Sequence, residues 1–211
     1  MGIMIKAHIY LLCQSICAGI CISLGCMTFL LSPDKISGSI LFSVGLLGVV
    51  IHSFNLFTGS ICSFGAHGIG MTYEIVRQCF ILFSNVVGTL IASIIFLNTG
   101  IETGVSGLVD NKLSADLLAV FCKAVFCNIL ICLAVDEWKK QKNSLIVIFA
   151  VTAFVLCGFE HCVANAFYML TADKFCLSFF IVNVVGNAIG GISFWRLKYL
   201  FEEELECLLK R

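Results

Sequence analysis

Charge is scarce in this chain. Only 12% of its 211 residues are Asp, Glu, Lys or Arg, about half the share of a soluble domain. The 13 basic and 13 acidic residues cancel, so bulk charge offers nothing to nucleic acid or to an acidic partner. Proline is nearly absent: Pro33 stands alone, in the turn Ser32-Pro33-Asp34-Lys35. Histidine is limited to His8, His52, His67 and His161. No two of them stand at haem or zinc spacing, so a metal or redox enzyme lacks its ligands and no cofactor is expected. No cleavable leader is expected, because the first apolar run reads as long enough to span and to stay.

Apolar residues fill the gap. They make up 60% of the chain, with a mean hydropathy of +1.04, against about 45–50% in soluble domains. This composition belongs to an integral membrane protein with one membrane domain, residues 1–199, and a short tail, 200–211. A membrane-crossing helix needs roughly 20 apolar residues. On that measure the chain reads as all-α with six crossings. Ala7 to Ser32 is the first, a run from Ile36 to Ser60 the second, and Cys79 to Leu97 the third. Leu117 to Val135, Ser144 to Leu170 and Phe175 to Trp195 follow. His67 to Gln78 and Asp136 to Asn143 read as polar loops, and Asn98 to Asp116 as a glycine-rich connection holding Lys112. The tail reads as a short surface helix. The 13 cysteines mostly sit inside apolar runs and read as small packing residues.

Two runs are interrupted at membrane depth. His52 to Ser60 breaks the second, and Gly158-Phe159-Glu160-His161 breaks the fifth. Titratable groups there are costly and mark a functional path by default, and non-helical backbone must face protein or water. The halves also echo each other: Asn85-Val86-Val87-Gly88 in the third run matches Asn187-Ala188-Ile189-Gly190 in the sixth. Three crossings per half put the second half in upside down, an inverted 3+3 repeat of the transporter type. Lysine and arginine collect on one side at Lys6, Arg77, Lys139, Lys140, Lys142, Arg196, Lys198, Lys210 and Arg211. The other side has Lys35, Lys112 and Lys174. The first side should be cytoplasmic, with both termini.

Gly158-Phe159-Glu160-His161-x-Val163-Ala164-Asn165-x-Phe167-Tyr168 closely resembles the fifth-helix signature of the formate–nitrite transporter family. Asn55-Leu56-Phe57-Thr58-Gly59 resembles the loop in its second helix. Cys127 to Val135 and Gly186 to Gly191 resemble its fourth and sixth helices, so the similarity covers about Leu12 to Tyr199. The resemblance implies an aquaporin-like fold assembled as a homopentamer in the plasma membrane, one pore per protomer. It implies passage of small monovalent weak-acid anions such as formate, nitrite, hydrosulfide or lactate, with protons. His161 then falls at the central pore histidine and Thr58 at its partner. Lys112 and Asn128 fall at family positions, and Phe42, Leu46, Leu56 and Phe154 at the constrictions. Departures are the neutral Asn55 where members usually carry an acid, a short link between the fifth and sixth runs, and little amphipathic helix before Ala7.

Each site residue also has a plainer reading. A buried histidine usually just packs; at membrane depth beside a break, the functional reading is favoured. Its reference pKa of about 6.5 suits a proton-linked role. Thr58 offers a hydroxyl to the imidazole or a cap to the break. Lys112, at the outer end of the fourth run, either draws anions in or snorkels. Glu160 is expected about 100° round a helix from His161, in a structural role. Asn128 and Asn165 are expected to hold exposed backbone at the breaks, and Asn187 and Gly190 only to permit close contact. A neutral-solute pore is the alternative, but its twin Asn-Pro-Ala signature is missing.

Overall fold

The computed structural model describes the backbone of residues 2–66, 68 and 70–209, and the side chains of residues 5–66, 68 and 70–201. His67, Lys210 and Arg211, all named above, lie outside the described residues. The described backbone is helical throughout, with no strand. In order, it forms α1 (Gly2–Leu30), α2 (Lys35–Leu41), α3 (Ser43–Ile51), α4 (Phe57–Ser60) and a single 3-10 turn (Ile61–Ser63). Then come α5 (Met71–Leu97), α6 (Val105–Leu113), α7 (Leu117–Gln141), α8 (Ser144–Leu156), α9 (Cys162–Thr171) and α10 (Leu177–Leu209). α1, α5, α7 and α10 are each long and apolar enough to cross a membrane. The second and fifth runs are divided into shorter pieces, as the sequence requires.

The four long helices pair. α1 lies along α5, and α7 lies along α10. Close approach explains the two Asn-x-x-Gly motifs. A Cβ on Gly88 would strike the Ile16 carbonyl, and one on Gly190 would strike the Val125 carbonyl. Small residues at such crossings let backbones touch, which is how helices associate where lipid removes the hydrophobic drive. The broken pieces fill the space between the pairs: α3 rests on α1, α8 on α7, and α9 against α5 and α1.

Three boundaries differ from the sequence reading. α5 begins at Met71, so most of the expected polar loop from His67 is helix. Its first turns are held by Glu74, Arg77 and Gln78, one turn apart: Gln78 Nε2 donates to Glu74 Oε1 at 2.9 Å, and Arg77 pairs with the same oxygen at 3.6 Å. These i,i+3 and i,i+4 contacts let a polar segment stay helical. α7 likewise runs on to Gln141 through the expected charged loop, where Lys140 pairs with Asp136 at 3.4 Å. It ends at Lys142, whose left-handed backbone (φ 55°) turns the chain. The tail is no separate helix, since α10 continues through it to Leu209. Inside the connection before α7, residues 105–113 form α6, which places Lys112 in its last turn and not on the fourth crossing.

Candidate functional site

The site is built where the two interrupted runs meet. The first interruption opens after Ile51, passes Ser53 in a left-handed conformation (φ 56°) and re-enters helix at Phe57. The second opens after Leu156, turns at Gly158 (φ 67°) and re-enters helix at Cys162. Glycine is the residue that adopts such a φ without strain. An unfolded turn in an apolar setting leaves polar backbone exposed, so each break needs a partner.

One asparagine serves each break in the same way, and Asn183 Nδ2 adds a 2.8 Å bond to the Glu160 carbonyl at the second. Asn85 Oδ1 accepts the Phe57 N–H at 2.8 Å, while its Nδ2 donates to the carbonyls of Asn55 (2.9 Å) and Ser15 (2.7 Å). Asn187 repeats the pattern. Its Oδ1 accepts the Cys162 N–H at 2.9 Å, and its Nδ2 donates to the carbonyls of Glu160 (2.9 Å) and Ala124 (2.8 Å). Both asparagines are fully buried. Asn187 is therefore a structural staple, not the close-contact residue expected from sequence. The expected staples do other work. Asn128 Nδ2 donates to the Asn187 carbonyl at 2.7 Å, and its buried Oδ1 has no partner among the described residues. Asn165 Nδ2 donates to Glu160 Oε2 (2.8 Å) and Asn183 Oδ1 (2.7 Å).

With the breaks pinned, His161 and Thr58 face each other. His161 Nε2 lies 3.0 Å from Thr58 Oγ1, and both residues are buried. His161 also caps α9: its Nδ1 accepts the Ala164 N–H at 3.1 Å. A nitrogen that accepts a backbone N–H carries no proton. The neutral ring therefore has its proton on Nε2, aimed at Thr58. The imidazole stacks on Phe154 with centroids 5.9 Å apart, and Phe154 meets Phe42 edge-on at 5.8 Å. On the other side, Leu56 stands two residues before Thr58 and lines a cavity of about 240 Å³. Arg77, Lys139 and Lys142 are also in that cavity's wall. Leu46 is buried on α3. Asn55, in the same cavity wall, donates its side-chain amide to Gln14 Oε1 at 2.8 Å. A carboxylate could not make that bond, so the neutral residue has its own fit here.

Lys112 and Glu160 depart from expectation together. Glu160 lies in the break and not on a helix, so the 100° argument does not apply to it. Its Oε2 accepts the Lys112 ammonium at 2.6 Å. The Lys112 charge is therefore met by a buried carboxylate and is not a free lure for anions. Removing one member of such a pair leaves the other uncompensated. Lys112→Met is expected to lower stability by about 2 kcal/mol, with most of it recovered in the Lys112→Met, Glu160→Gln double variant. Thermal unfolding of the purified protein in detergent checks both.

Known proteins resemble this chain in sequence and in fold. A family model described as "Formate/nitrite transporter" matches residues 5–201. The chain is 30% identical to an uncharacterised transporter, YrhG, of Bacillus subtilis, covering 80% of this chain and 71% of that one. It is 26% identical to the formate channel FocA of Escherichia coli K12, covering 81% and 76%. Among solved structures, a pentameric formate channel with formate bound superposes with a TM-score of 0.79 at 25% identity, covering 96% of this chain and 98% of that one. An FNT family ion channel superposes with a TM-score of 0.82 at 23% identity, covering 92% and 90%. With a matched model running nearly end to end and an all-α membrane channel fold to go with it, the chain belongs to the formate/nitrite transporter family.

Proposed function

We propose that this protein is a channel for small monovalent weak-acid anions, formate first among them, in which passage is linked to a proton at His161. The observation that carries the proposal is the 3.0 Å contact between His161 Nε2 and Thr58 Oγ1, which joins the two interrupted runs at a buried point. A bare ion pays several kcal/mol to leave water for such a place, whereas a neutral small acid pays only a polar-group cost of about 1–3 kcal/mol. An anion reaching the pair finds the Nε2–H and the Thr58 hydroxyl as donors. A proton from the aqueous side joins the ring, the imidazolium passes its Nε2 proton to the anion, and the neutral acid crosses the apolar narrows as the ring returns to its neutral state. Phe42 and Phe154 form the narrows on one side, and Leu56 with Leu46 those on the other. Asn128 offers its unpartnered Oδ1 to the path, and the Lys112–Glu160 pair fixes the break that presents His161.

The paired work of Asn85 and Asn187 supports six crossings in two inverted halves of three. The pentameric relative supports a homopentamer. The basic residues Arg77, Lys139 and Lys142 around one cavity support a cytoplasmic mouth there. On that reading both termini are cytoplasmic and the protein sits in the plasma membrane.

Flux into liposomes tests the reading. Purified protein should carry formate, nitrite, hydrosulfide or lactate faster as the pH of the uptake side falls. Passage of water or glycerol with no weak-acid flux would replace this reading with a neutral-solute pore.

A further inference from the structure

Most cysteines here sit among apolar neighbours, as expected of small packing residues. Cys62 and Cys132 differ. They come from separate elements, the 3-10 turn after α4 and the middle of α7. Both are free thiols. Together they line a cavity of about 20 Å³, shared with Asp136, Lys139 and Trp195. That is room for one water-sized molecule. Cys62 is also tied to the proposed pore: its S–H donates to the Thr58 carbonyl at 3.2 Å. Its sulfur lies only 3.0 Å from where a Cβ on Gly191 would stand, so the missing side chain leaves it space against α10.

We propose that Cys62 and Cys132 are a redox-active dithiol, oxidised to a disulfide by a small peroxide, and that closing this bond shuts the channel by moving Thr58 away from His161. The gating half of this rests on the function proposed above. The chemistry balances with hydrogen peroxide as the oxidant. One thiolate attacks the peroxide O–O bond, which breaks to leave a sulfenic acid, and the departing hydroxide takes up the thiol proton as water. The other thiol then attacks that sulfur. The S–S bond forms, the S–O bond breaks, and a second water leaves. Peroxide is neutral and the smallest oxidant of its class, so it suits such a small cavity better than a bulkier oxidant.

The consequence for Thr58 follows from geometry. A disulfide holds the sulfurs about 2.05 Å apart, and so ties the 3-10 turn to α7. Cys62 also loses the proton it gives to the Thr58 carbonyl. Both changes act on the short segment that aims Thr58 Oγ1 at His161, and a displacement of about 1 Å is enough to disrupt such an alignment.

The test uses the full chain in liposomes, treated with hydrogen peroxide, then with dithiothreitol. Peptide mapping by mass spectrometry reads the disulfide, and formate uptake reads the gate. A Cys62–Cys132 cross-linked peptide should form, flux should fall about tenfold, and dithiothreitol should restore it. Cys62→Ser and Cys132→Ser, tested separately, should each keep their flux in peroxide. Failure to find the cross-linked peptide overturns the dithiol. A mapped disulfide with undiminished flux overturns the gate, as does a flux loss that persists in both serine variants. A mapped disulfide in a protein that moves no weak acid supports the dithiol and overturns the transport reading with the gate built on it.

Discussion

Replacing His161 by Asn is expected to cut formate flux about a hundredfold and to flatten its dependence on pH. Asn is the informative choice because of what it preserves. His161 caps α9 through Nδ1, and Asn is among the best helix caps. The variant therefore keeps the start of α9 while removing the titratable ring and the Nε2–H aimed at Thr58. A Phe in its place would lose both functions together and confound folding with transport. Liposome uptake measured over a range of pH, beside a thermal melt showing an intact fold, checks the prediction. Unchanged flux with an unchanged pH profile would remove His161 from the mechanism.

Asn187→Ala is expected to be the most destabilising single change at the site. It strips the Cys162 N–H of its partner and removes one donor each from the carbonyls of Glu160, which keeps Asn183, and of Ala124, which lies inside α7. At about 1–3 kcal/mol for an unsatisfied buried group, the orphaned N–H and the two weakened carbonyls together cost about 3 kcal/mol. Asn85→Ala should cost about the same, because Asn85 makes the same three kinds of bond. The measurement is thermal unfolding in detergent with each variant beside the wild type. If either alanine variant melts within about 2 °C of the wild type, the breaks are held by something else.

Much of this was open to a reader of the sequence. The two interruptions were visible because polar residues and Gly158 fall inside apolar runs too short to span alone. Thr58 and His161 were named as partners only through the family resemblance, since no periodicity links residues 103 positions apart. Asn187, expected only to permit close contact, holds the second break, while Asn128 holds the Asn187 carbonyl and not a break. The clue lay in the repeat itself: Asn85 and Asn187 each stand three residues before a glycine that touches a neighbouring backbone. An asparagine held that close to another chain is placed to reach its carbonyls. The Lys112–Glu160 pair was hidden for a different reason. Residues 98–116 carry no apolar run, and nothing local shows that α6 folds back to bring its lysine to the break. The ends of α5 and α7 were misjudged because their charged turns satisfy one another, which composition alone does not show.

The nitrogen lone pair that fastens the first turn of α9 is also the only place where the imidazole could gain positive charge. Nδ1 cannot accept the Ala164 N–H and hold a proton at once. Each visit to the imidazolium state must therefore unclip the helix, at about 1 kcal/mol. Under the proposed function, a solute that draws a second proton onto the ring must also supply the work of undoing that clasp.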